Sequence, residues 1–191
     1  HRLVGSEMCI RDSDITGWNV SQVENMSSMF QDASGFNQPL NSWDVGGVTY
    51  MNSMFYRANS FNQPLYSWNV SLVQDMSGMF ASATSFNQPL NNWVVSQVQD
   101  MSRMFRGATS FNQDISGWDV SGVNNMNSMF LNASIFNRDI SRWDVSGVTD
   151  AFEMFQGSGL RKSGGLLSHV SQTLINAWHN TPDQVNWDAL W

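Results

Sequence analysis

Catalysis by side chains needs a nucleophile, a base and an orienting group within reach of one another. The candidates in this chain are few and scattered. His1, His169 and His179 lie outside the long regular stretch 14–155, and the single cysteine, Cys9, precedes it. No such constellation can be assembled inside that stretch, so a noncatalytic protein is expected. One cysteine also excludes an internal disulfide framework and a Cys-rich zinc site. What recurs instead is a row of short carboxylates and amides. Asn19, Asp44, Asn69, Asp119 and Asp144 occupy one position of a repeating unit, with Val94 in the remaining unit. Ser42, Ser67, Asn92, Gly117 and Arg142 stand two residues earlier on the same expected face. Three carboxylates interleaved with amides could hold calcium, which takes oxygen ligands. Adjacent carboxylates occur only at Asp119 and Asp144, however, and Arg142 is placed to neutralise them. A solvated face is therefore preferred over a metal site, and neither metal nor cofactor is expected. If the chain has a ligand face, this row (Asn19, Asp44, Asn69, Asp119, Arg142, Asp144) is the candidate.

The composition narrows the partners. Of 191 residues only 13% are charged, against roughly 25% in an ordinary soluble domain. Lys162 is the only lysine, and the net charge is −7. An acidic chain without a basic patch is a poor partner for a nucleic-acid backbone or an anionic membrane surface. No apolar run approaches the ~20 residues of a membrane-spanning helix, so no membrane insertion is expected.

The elements that must position the row come from a repeat of 25 residues. Trp18, Trp43, Trp68, Trp93, Trp118 and Trp143 recur at that interval, each followed by Val two and five places on. Met26 to Met126, Met29 to Met154 and Phe30 to Phe155 form further columns; Ala151 stands in for Met in the last unit. Ala33 to Ala133, Phe36 to Phe136 and Asn37 to Asn137 complete the unit. Trp43 and Val45 alternate with Ser42 and Asp44, the two-residue period of a short strand with its indole inside rather than offered as a sugar platform. Met26, Met29, Phe30 and Ala33 lie at i, i+3, i+4 and i+7, one stripe of a helix. Asn25, Asp75, Asp100, Asn125 and Asp150 precede the stripe as N-caps, Tyr50 being the exception. Pro39, Pro64 and Pro89 give way to Asp114 and Asp139 in a column that reads as a turn before the strand. The Asn37 column reads as an internal ladder satisfying backbone groups. The expectation is an α/β solenoid: a right-handed, leucine-rich-repeat-like coil with one short parallel strand and one short helix per unit.

Segments such as Trp118-Asp-Val-Ser-Gly-Val-Asn-Asn-Met-Asn-Ser-Met-Phe resemble the BspA-like leucine-rich-repeat surface proteins. They are most similar to the subgroup with the W-D-V-S-x-V-x-x-M-x-x-M-F unit, a Mycoplasma-type domain of unknown function. The resemblance covers residues 14 to about 155 and implies a secreted or cell-surface, adhesion-type binding protein without catalytic residues or cofactor. A protein or glycan ligand on the exposed strand face is the expected partner; a purely structural spacer in a longer surface protein is the alternative. Ice or mineral binding is disfavoured because the exposed column mixes Asn, Asp and Val. Sequons at Asn19, Asn25, Asn69 and Asn132 matter only if the source glycosylates its proteins. Residues 1–13 match no column and read as a leader preceded by a missing N-terminus. Residues 156–191, with a helix at about 168–179, read as a cap over the last unit.

Overall fold

The computed structural model describes residues 14–162, and the side chains of 14–160 within them. The leader 1–13 and the cap helix at 168–179 lie outside the described residues.

The expected α/β solenoid is not formed. Among the described residues there is no α-helix and no extended strand; regular structure amounts to a 3-10 turn at Gly159–Lys162 and five isolated parallel bridges. Neither the strand, the helix nor a leucine-rich-repeat-like right-handed coil built from them describes this chain. It is instead a register-true stack of units made almost wholly of turns.

The helix fails because of backbone conformation at two columns. Ser28, Ser53, Gly78, Arg103, Ser128 and Glu153 have positive φ, and so do Asp32, Arg57, Ser82, Gly107, Asn132 and Gly157. Left-handed residues four apart cannot belong to a right-handed helix. They suit β-turns such as 26–29 and 30–33, whose third residue, Ser28 or Asp32, takes positive φ. Met29 N–H donates to the Met26 carbonyl, Gln31 to Ser28, and Ala33 to Phe30. The alternate amides leave the unit: Met26, Ser28, Phe30 and Asp32 donate to the Tyr50, Asn52, Met54 and Tyr56 carbonyls of the next unit. The pattern repeats at every junction to Asn132 N–H and the Gln156 carbonyl, 2.7 Å apart. A two-turn helix would leave its first amides and last carbonyls without partners. Here the neighbouring unit supplies them. The supposed N-caps carry the bridges, Asn25 with Tyr50 and so on to Asn125 with Asp150. Their side chains do accept an amide two residues on, as from Ser77 N–H to Asp75 Oδ1 at 2.8 Å, but they close a turn.

The strand fails because it is too short. Trp43 N–H closes a turn onto the Leu40 carbonyl, and Val48 N–H closes the next onto Val45. Three residues remain between, with Trp43 and Val45 buried and Asp44 exposed. Burial alternates as a strand's would, without a ladder.

The i, i+3, i+4, i+7 stripe nonetheless points inward. Every Phe of the two Phe columns is buried, as are Met51, Met76, Met101 and Met126. Rings stack along the axis: Phe55 on Phe80 at 5.5 Å between centroids, Phe61 on Phe86 at 5.9 Å, and Trp68 on Trp93 at 6.5 Å. Within a unit Phe80 lies 4.0 Å from Phe86. Trp43 to Trp143 are buried to within 4%, whereas Trp18 in the first unit is 44% exposed. Each buried indole N–H finds an acceptor one unit back. Trp68 Nε1 donates to the Leu40 carbonyl at 2.9 Å, which also accepts Trp43 N–H. Using both carbonyl lone pairs lets a large polar-tipped ring enter the core without an unmet donor.

The Asn column forms the ladder its repetition suggested. Asn62 N–H donates to Asn37 Oδ1, Asn87 to Asn62, Asn112 to Asn87 and Asn137 to Asn112. Gln63, Gln88 and Gln113 follow it with their amide groups on the preceding Asn carbonyl.

Candidate functional site

The turns that frame Trp-x-Val decide where the candidate row sits. Asn19, Asp44, Asn69, Val94, Asp119 and Asp144 are all exposed, each between two buried neighbours of its unit or beside one. Their side chains are not idle. Oδ1 of Asn19, Asp44, Asn69, Asp119 and Asp144 accepts the backbone amide two residues on, from Ser21, Gly46, Ser71, Ser121 and Ser146. This is the local turn that Asx residues favour, and it explains why only Asn and Asp recur there. Val94 is the unit without it.

The Ser121 hydroxyl and then its amide hold the Asp119 carboxyl below its ordinary value of 3.8, while desolvation and the neighbouring Asp144 charge push the other way. Ser146 does the same for Asp144 through its hydroxyl and amide. Asp44 and Asn69 adjoin: a Cβ at Gly46 would stand 3.3 Å from Asp44 Oδ1 and 3.6 Å from Asn69 Nδ2. Arg142 is exposed, and the groups that set the Asp144 carboxyl do not include it. Among the described residues no three His, Cys, Asp or Glu side chains converge as a cation would require.

The companion row stitches units together. Ser42 Oγ donates to the Thr16 carbonyl at 3.2 Å. Ser67 Oγ reaches the Asn41 carbonyl, and Asn92 Nδ2 the Tyr66 carbonyl.

Sequence reasoning noted Val94 but passed over two further apolar residues exposed in this part of the repeat, Tyr66 and Leu72. Tyr66 is 56% exposed, Leu72 54% and Val94 57%. Tyr66 stands at the tip of the turn before Trp68, Leu72 at the tip of the turn after Val70, and Val94 in the adjoining unit beside Asn69. Their columns are otherwise polar or Gly: Asn41, Asn91, Ser116 and Ser141 for Tyr66; Gln22, Gly47 and Gln97 for Leu72. Departures from the repeat at exposed positions were the available signal, hidden because a repeat draws attention to what is constant.

Among the described residues no helix is long and apolar enough to cross a membrane. No curated protein and no solved structure matches the chain. A family of Mycoplasma proteins of unknown function, DUF285, matches residues 5–106 and 90–164, the two spans overlapping as a regular repeat permits. With most of its length matched, the chain belongs to the DUF285 family.

Proposed function

We propose that this chain is a noncatalytic binding module of a secreted or cell-surface protein, engaging a protein or glycan through the exposed row and its apolar centre. The carrying observation is three exposed apolar side chains, Tyr66, Leu72 and Val94, set where the repeat elsewhere places polar residues or Gly. None of them is needed to build a unit, and exposed apolar groups rimmed by polar ones are typical of interaction surfaces. The resemblance of the W-D-V-S unit to BspA-like surface proteins favours the same reading and an extracellular location. A second reading, a structural spacer, is favoured by the Asx turns: Asp44, Asp119 and Asp144 recur because they close their own turns, whatever lies outside.

A glycan and protein-ligand array separates the two. The unaltered chain is compared with an Asp119→Ala/Asp144→Ala variant and a Tyr66→Asn/Leu72→Gln/Val94→Asp variant, the latter carrying residues that the same columns hold at Asn41, Gln22 and Asp44. A binder lost in the second variant supports the module. A binder lost in the first variant supports the module at the Asx row instead; binding unchanged in both variants places the site elsewhere and overturns this reading, and no binder at all supports the spacer.

A further inference from the structure

A groove of about 320 Å³ opens over the turn ladder of the last three units, away from the Asx row. Arg103 and Arg106 line one side, Leu131 and Phe152 supply apolar walls, and Asn127, Ser128 and Glu153 add polar groups. Such a volume suits a ligand of one or two rings, and apolar walls with a few convergent polar groups are the usual make-up of a ligand site.

Phe152, Arg103 and Glu153 depart from their columns. Phe152 follows Ser27, Asn52, Ser77, Ser102 and Asn127; Arg103 and Glu153 share a column with Ser28, Ser53, Gly78 and Ser128. Arg103 keeps a long cationic side chain at φ 57°, a conformation where Gly is most at ease. The cations are also unlike the nearby Arg57. Arg57 pairs with Asp32 at 3.6 Å and lies over the Tyr56 ring. Arg103 and Arg106 make no ion pair with any described residue. Two guanidinium groups lining one groove offer a receptor for a carboxylate, which the planar fork can bind in bidentate fashion. An aromatic wall beside them suits the C–H face of a sugar ring, and Asn127, Ser128 and Glu153 can exchange hydrogen bonds with hydroxyls.

We infer that this groove binds a carboxylate-bearing sugar, its acid group on Arg103 and Arg106 and its ring against Phe152. The inference is independent of the Asx row and its apolar centre.

The test is titration calorimetry on the full chain with glucuronate, N-acetylneuraminate, glucose and acetate. The variant is Arg103→Gly/Arg106→Ala, which installs the residues those columns already carry at Gly78 and Ala81, so the fold accepts both. At least one acidic sugar should bind, more tightly than glucose or acetate, and weaken with added salt. The double variant should lose about tenfold or more in affinity, as expected when charge-assisted contacts are removed, while Arg57→Gln leaves it unchanged. Acetate binding as tightly as the sugars, equal binding by the double variant, or no binding of either acidic sugar at millimolar concentration would overturn the inference. Whichever acidic sugar binds identifies the source of the carboxylate.

Discussion

Within each unit two regions hold the stack together by different means. Between positions such as 24 and 33, successive units are joined backbone to backbone, as in Phe80 N–H to the Met104 carbonyl at 2.9 Å. Between positions such as 37 and 48, they are joined through side chains: the indole of Trp93 on the Leu65 carbonyl at 3.2 Å, and Asn62 Oδ1 beneath Asn87 N–H at 2.9 Å. The difference decides which columns can vary. A peptide bond is the same whatever side chain it carries, so the outward turn positions accept Ser, Gly, Arg and Glu at Ser53, Gly78, Arg103 and Glu153. Only Trp can place an indole N–H one unit back, and only a short side chain with an acceptor oxygen can take the next unit's backbone N–H in that geometry. Functional novelty therefore has most room on the backbone-joined side, where Arg103 and Phe152 sit, and at the turn tips, where Tyr66 and Leu72 sit.

The largest effect that would break this contrast is removal of a core indole. Trp93→Ala should destabilise by about 3–5 kcal/mol in urea unfolding, through lost burial and an emptied site between Trp68 and Phe80; a loss below about 1 kcal/mol would mean the Trp column is not the core. Next comes Gly159→Ala. A Cβ there would stand 2.7 Å from Ile135 C and 2.8 Å from the Phe136 carbonyl oxygen, both backbone atoms that cannot rotate away. A loss of about 1–3 kcal/mol is expected from such overpacking, and an unchanged midpoint would show that the last unit does not lie so close.

A matched pair then sharpens the comparison. Asn87→Ala removes the acceptor beneath Asn112 N–H and should cost about 1–2 kcal/mol, whereas Ser77→Ala on the backbone-joined side should stay within about 0.5 kcal/mol. Equal losses would remove the distinction. Acid acts on the Asx row. Asp119 and Asp144 have depressed pKa values in the fold, so their contribution is complete above the ordinary carboxylate value of 3.8 and fades as pH falls through the lower folded value. Urea midpoints should fall as the pH drops below the ordinary carboxylate value of 3.8, and less steeply in an Asp119→Asn/Asp144→Asn variant. Arg103→Gly should act in the opposite direction, stabilising by up to about 1 kcal/mol because the left-handed conformation suits Gly.

Much of the packing was legible in the residues, and the backbone was not. Inward columns announced themselves through periodicity, and Phe30, Met51, Trp68 and Phe86 are buried as their spacing required. The Asn ladder was equally readable, since a polar residue repeated beside a buried Phe must satisfy something. But i, i+3, i+4, i+7 reports which side chains share a side, and overlapping β-turns share that spacing with a helix. The telling residues were Gly78 and Gly107, which mark the two columns of positive φ. Ser28, Arg57 and Asn132 adopt the same conformation, and that disguised the columns as ordinary polar positions. Likewise Trp-x-Val alternates as a strand would, yet three residues between turns are too few to pair. At the candidate face, Asp44 and Asp119 stood out by repetition, and repetition here belongs to turn closure. Tyr66, Leu72 and the Arg103 groove differ from their columns, so a search for constancy passes over them.

The central claim is that amides along the Met-Phe stripe bond to the next unit rather than back along a helix. Through-hydrogen-bond scalar coupling, read by NMR on isotopically labelled protein, tests it at Phe80. A coupling from Phe80 N–H to the Met104 carbonyl is predicted; a coupling to the Met76 carbonyl, four residues back, would contradict the account.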